Sequence, residues 1–243
     1  MISELIFSFF IILARISALF TLMPALSDER ISLKIRAMAS VMMSLSAIPF
    51  LGEYLPKYTT SSSLICYYII SEILVGLMIS LSVRIIFSSI PILGNIVSLQ
   101  SGLSAATIYD PAQKEQIALF GSFVVTIALV MIFASDTHIL FIKGFLESYD
   151  KFRPGEIIDI SDFSNHIAIS VSKSFLLAFK IGSPFIVVGT SMLVASGVLS
   201  RLMPTFQVFF VITPVQILIM FTVLLLVVNQ IIALVIQSMI EVF

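Results

Sequence analysis

Tryptophan is absent from this chain, and cysteine occurs once, at Cys66. A single cysteine excludes an intramolecular disulfide and a cysteine-built metal cluster. With no tryptophan, any aromatic belt at a membrane surface falls to tyrosine and phenylalanine. Histidine occurs only at His138 and His166, and neither has a second ligand at i+4, so the zinc-hydrolase pattern is missing. Charge is scarce too: 13 basic and 14 acidic residues make up 11% of the 243 positions. Soluble domains carry about 25%. The net charge of −1 argues against the basic surface of a nucleic-acid binder. No phosphate-binding glycine loop appears, so any energy for work comes from a partner or from the proton-motive force. Catalytic pairs are missing as well. Asp110 precedes a proline and reads as a turn, and Asp136 falls at a segment end, so an aspartyl dyad has no support. No enzyme activity, metal or cofactor is expected.

What the chain does have is apolar length. Residues 202–240, 39 in a row, contain no Asp, Glu, Lys or Arg. As a helix that run is about 58 Å long, against a bilayer core of about 30 Å. It is two crossings, or one crossing with a long extension. Residues 85–109, 116–135 and 181–200 are further uncharged runs long enough to span. The fold class expected is all-α: a polytopic helical membrane protein with long broken helices and helical hairpins.

The first segment, residues 2–26, holds Arg15 in its interior and Pro24 near its end. It starts with Glu4 rather than a cation, so it reads as a retained helix and not a cleaved signal. Residues 35–51 form a second, moderately apolar segment. A third runs from 64 to about 91. Pro91 removes a backbone donor and predicts a break there, with a fourth segment to about Gln100. Residues 101–116 are the least helical apolar part, containing Gly102 and the Asp110-Pro111 turn. Residues 117–135 form the cleanest span. The polar connection 136–166 predicts an amphipathic, surface-lying helix and then a turn at Pro154-Gly155. Residues 167–199 predict two helices, or one broken at Gly182-Ser183-Pro184. In the last segment Asn229-Gln230 is the place for a polar turn.

Arg15, Glu72, Arg84, Lys173, Lys180 and Arg201 lie inside or at the edges of these segments. Each costs about 2.5–3.5 kcal/mol at a helix centre on insertion scales. Such residues pair within protein, or reach the headgroups from helix ends. Glu72 has a short stem and sits within an apolar run, so pairing is the stronger reading for it. Glu72, Gly76 and Ser80 stand at i, i+4 and i+8 on one stripe. Gly76 with Ser80, and Ala14 with Ala18, are small pairs that allow close helix approach. Spacing does not separate packing within the chain from packing against another subunit.

At this point the pattern resembles the FliR family, the export-gate proteins of bacterial flagella, related to the SctT proteins of virulence type III secretion. The matching stretches are Arg15 with Pro24 and Arg36; 72–76; 100–111; 138–142 with Ser148 and Pro154-Gly155; and 197–209 with Pro214. The resemblance implies one copy of this chain in a helical assembly with FliP-like and FliQ-like subunits, and a FlhB-like subunit beside them. It is not implied to be a homo-oligomer. It implies a FliP-like part over about 1–200 and a FliQ-like hairpin over about 201–243. The implied place is the bacterial inner membrane, within the flagellar basal body, around a pore that passes unfolded substrates. Much of the assembly is implied to sit above the bilayer plane. Residues 101–117 are implied to plug the closed pore through Gly102, Leu103, Ala106, Ile108, Tyr109, Asp110 and Pro111. Arg15, Glu72, Gly76, Ser80, Arg84, Arg201, Pro204 and Gln207 are implied for subunit packing or ion pairs. Ser101 replaces the family's usual Met, and Ala105 and Ile108 stand where Phe is usual. The family's Pro-Gln-x-Asn pattern reads Pro204-Thr-Phe-Gln207 here. Arg201-Leu-Met-Pro followed by Gln207-Val-Phe-Phe looks closer to flagellar than to virulence members.

The competing expectation is a secondary transporter with Glu72 or Lys180 as an ion-coupling site, for which breaks at Pro91 and Pro184 are suited. No inverted repeat supports it. An intramembrane hydrolase lacks the paired residues it needs.

Overall fold

The computed structural model describes residues 2–24, 26–27, 31–52, 54–56, 58–59, 61–102, 119–155, 160–203 and 207–241. In chain order the helices are α1 (Ile2–Leu22), α2 (Leu33–Leu51), α3 (Ser62–Phe87), α4 (Ser89–Gln100), α5 (Leu119–Ala134), α6 (Thr137–Lys151), α7 (Ile160–Leu202) and α8 (Val208–Ile240). No strand occurs among the described residues. Five helical stretches are long and apolar enough to cross a membrane: 3–22, 33–51, 62–100, 161–202 and 210–240. The pair 121–134 and 137–151, bent by 72°, makes a sixth if it counts as one span. The chain is an all-α polytopic membrane protein.

Local chemistry sets the helix ends. The Ser32 hydroxyl accepts the Ile35 amide at 3.4 Å and caps α2. Gly102, at φ +75°, follows the last turn of α4 in the left-handed geometry that ends helices. Asp136 separates α5 from α6 at φ +55°, a conformation that aspartate tolerates better than most residues.

The prolines behave differently from the sequence expectation. The break after α3 falls at Ser88, not at Pro91. Pro91 is instead the third residue of α4, where its missing donor is one the helix leaves unpaired anyway. Nor do Gly182-Ser183-Pro184 break α7, which runs unbroken for 43 residues. The Ser183 hydroxyl donates at 2.9 Å to the Lys180 carbonyl, the acceptor that Pro184 leaves without its amide. Residues 208–240 also form one helix, so Asn229-Gln230 is not a turn. The polar connection resolves into α6, a turn at Pro154-Gly155, and an earlier start for α7 than residue 167.

The chain divides into two compact units. Unit 1 comprises residues 1–87, 132–172 and 237–243; unit 2 comprises 88–131 and 173–236. In unit 1, α1 packs against α3 and α2. Its core contains Ile12, Ile16, Leu19, Val75, Phe145 and Tyr149. In unit 2 the fully buried side chains include Ile90, Leu93, Phe185 and Met220. Large apolar side chains stand exposed along α7 and α8, among them Leu176, Leu193, Leu225 and Leu226. An exposed apolar face of this kind needs lipid or another subunit over it.

Candidate functional site

Unit 1 is built around a buried ion pair. Arg15 and Glu72 both have 0% of their side chains exposed. Apolar neighbours on α1 and α3 carry both residues inward, because Ile11, Ile12, Ile16 and Leu19 share the inward side of α1 while Val75, Ile79 and Val83 share that of α3. The guanidinium is bound at both edges. Nε donates to one Glu72 oxygen at 2.7 Å, and one terminal nitrogen donates to the other at 2.9 Å. That same nitrogen reaches the Phe152 carbonyl at 2.9 Å, and its twin donates to the Ser148 hydroxyl at 3.1 Å. Below the plane lies the Tyr149 ring, 3.7 Å from the guanidinium carbon. A planar fork uses all these partners at once, and a lysine ammonium does not. The Tyr149 hydroxyl is buried near the Glu72 carboxylate but does not reach hydrogen-bond geometry.

Close helix approach makes the pairing possible. A Cβ on Gly76 would stand 2.6 Å from the Arg15 carbonyl oxygen and 2.9 Å from the Ala18 Cβ. Gly76 of one small-residue pair therefore meets Ala18 of the other, inside the chain. Ser80, also buried, turns its hydroxyl back to the Gly76 carbonyl at 2.8 Å. Glu72, Gly76 and Ser80 thus belong to the α1–α3 seam.

The cations Arg84, Lys173, Lys180 and Arg201 and the neutral Gln207 are exposed. Of the residues attributed to a plug, Gly102 is described, and Ser101 beside it is fully buried. Leu103, Ala106, Ile108, Tyr109, Asp110 and Pro111, and also Pro204, lie outside the described residues.

Unit 1 also holds a cavity of about 230 Å³, lined by Ile16, Leu19, Met43, Phe141 and Phe145 among others. Among the described residues that line it, His138 is the titratable one. No group of acidic, histidine and cysteine residues suited to a metal occurs among the described residues.

Sequence reasoning singled out Arg15 and Glu72 but not Tyr149. Its signal was positional: Phe141, Phe145, Ser148 and Tyr149 recur at helical spacing and form the buried face of α6.

The chain is also similar to known proteins. Residues 6–242 match the family described as bacterial export proteins, family 1. The chain is 28% identical over 208 residues to the flagellar biosynthetic protein FliR of Caulobacter vibrioides, covering 86% of this chain and 83% of that protein. It is 31% identical to the protein of that name in Bacillus subtilis, over 63% of this chain and 61% of the relative. For the Escherichia coli protein the identity is 23%, over 81% and 75%.

Proposed function

This chain belongs to the FliR family of bacterial export proteins, and on that premise we propose that it is a non-enzymatic subunit of the flagellar type III export gate in the inner membrane. The observation that carries the reading is the family match across nearly the whole chain, residues 6–242. The proposed partners are FliP-like and FliQ-like subunits with a FlhB-like subunit beside them, and the cargo is unfolded export substrate. Exposed apolar faces on α7 and α8 are the surfaces those subunits and lipid would cover. The FliP-like part would lie before about residue 200 and the FliQ-like part after it.

Residues 101–117 are proposed as the segment that closes the pore. Apolar side chains in a narrow protein-lined passage keep it dry, and Leu103, Ile108 and Tyr109 are the candidates. Gly102 supports this, because its left-handed backbone turns the chain out of the α4 axis. Deleting residues 102–109 in cells that make the partner subunits tests the proposal. Assembly should persist while the membrane becomes permeable to small solutes. Unchanged permeability in a verified complete complex would refute the plug.

The transporter reading is less favoured at Glu72, because each of its oxygens already accepts a hydrogen bond from Arg15.

A further inference from the structure

In unit 2 the C-terminal end of α4 meets two unrelated helices. The Gln216 side-chain amide, on α8, donates to the backbone carbonyl of Gln100. That carbonyl is one of the last in α4, and the last four carbonyls of a helix have no partner inside it. A glutamine in the apolar α8 is costly without a partner, and here both needs are met together. On the other side, the Gln100 side chain fills the space where Gly189 of α7 has no side chain. A Cβ on Gly189 would stand 2.7 Å from the Gln100 Cβ and 2.9 Å from its Cδ. The first of these atoms is fixed to the α4 backbone, so a rotamer change cannot clear it. Ser101, the next residue, donates its amide to the Val97 carbonyl at 2.8 Å and its hydroxyl to the Ser98 carbonyl at 3.0 Å, closing the helix end. Gly94, in the same helix, has Gly121 of α5 so close that an added Cβ would lie 2.8 Å from the Gly121 nitrogen.

We infer that Gly189 and Gln216 form a seat for the end of α4, and that Gln100 is the positioning residue which fixes where the chain leaves that helix. The seat stands on described residues alone. Its consequence for export rests on the plug reading of residues 101–117, which begins beside Gln100. Residues from three helices thus set one backbone position two residues before Gly102.

The test uses the complete complex in membranes, in a Cys66→Ser background because Cys66 is exposed and would take label. Spin labels at Leu99 and Leu193, both exposed, report the distance between α4 and α7. The variants are Gln216→Leu, which removes the donor and keeps the volume, and Gly189→Ala. Each should lower the ratio of seated to unseated geometry by roughly 5- to 150-fold, the range for a lost polar partner in Gln216→Leu and for overpacking a close contact in Gly189→Ala. The distance distribution should broaden and solute permeability should rise. Gln100→Gly added to Gly189→Ala removes the clashing Cβ and should return the distribution to a narrow one. A narrow, unshifted distribution in both single variants overturns the seat. A broadened distribution with wild-type permeability supports the seat and overturns the plug reading on which its role in export rests.

Discussion

The two units handle polar groups among apolar helices in opposite ways. Unit 1 buries a full positive charge and surrounds it with a carboxylate, a hydroxyl, a carbonyl and an aromatic face. Unit 2 places a half-buried neutral amide, that of Gln216, among apolar side chains and gives it one carbonyl. The difference follows from solvation. An ion removed from water needs several partners to offset the loss, whereas an amide needs one or two. The charged arrangement is therefore the more specific and the more fragile. It draws on α1, α3, α6 and the turn after α6, and removing any member exposes the rest.

The sharpest way to break this comparison is Glu72→Ala. Arg15 is then an uncompensated buried cation, and breaking a buried pair costs about 3–5 kcal/mol. The assembled complex should lose its folded first unit, read as accelerated proteolysis between α1 and α3. Replacing both partners, Arg15→Met with Glu72→Leu, should recover most of the loss, since removing a buried pair outright is often neutral. If the double variant is as labile as the single one, the charge is not the source of the fragility.

Glycine substitutions come next and divide the units again. Gly76→Ala drives a Cβ against the Arg15 backbone carbonyl, which cannot rotate away. A cost of about 1–3 kcal/mol is expected for such overpacking, visible as a lower melting temperature of the purified complex. Gly182→Ala in unit 2 places its Cβ 3.1 Å from the Ile96 Cδ1, the movable tip of a side chain. Helix propensity favours alanine there by about 0.5–1 kcal/mol, so the melting temperature should hardly move.

The smallest expected effect is Tyr149→Phe. The hydroxyl removed has no well-formed hydrogen bond, and the ring beneath Arg15 remains. Stability within about 0.5 kcal/mol of wild type is expected. Tyr149→Ala, by contrast, removes the ring and should cost about 3–5 kcal/mol. A large loss in Tyr149→Phe would mean that the hydroxyl is bonded to Glu72 in the membrane.

Much of this was legible in the sequence. The apolar runs specified an all-helical membrane protein, and the positions of Arg15 and Glu72 marked both as charges that need partners. Gly76 and Ala18 were legible as sites of close approach. That they approach each other was not, because small-residue spacing describes one helix and says nothing about which neighbour it meets. The pairing of Arg15 with Glu72 was hidden by a separation of 57 residues. The reading of Pro184 as a break failed for a local reason: Ser183, one residue earlier, supplies the donor that proline removes. Asn229-Gln230 misled similarly, since a polar pair within a long helix is tolerated when its backbone stays hydrogen-bonded. The seat at Gly189 was invisible, because its two partners come from distant helices.

The guanidinium of Arg15 also sets a schedule. Its carboxylate partner lies 57 residues later in the chain, and its last partners 133 and 137 residues later. At a synthesis rate of about 5–20 residues per second, Glu72 follows Arg15 by about 3–11 s and Ser148 by about 7–27 s. Until then α1 is a membrane segment with an open charge, a weak inserter on its own. The first helix made is thus among the last to become stable, and the interval is one in which the insertion machinery or a partner subunit must hold it.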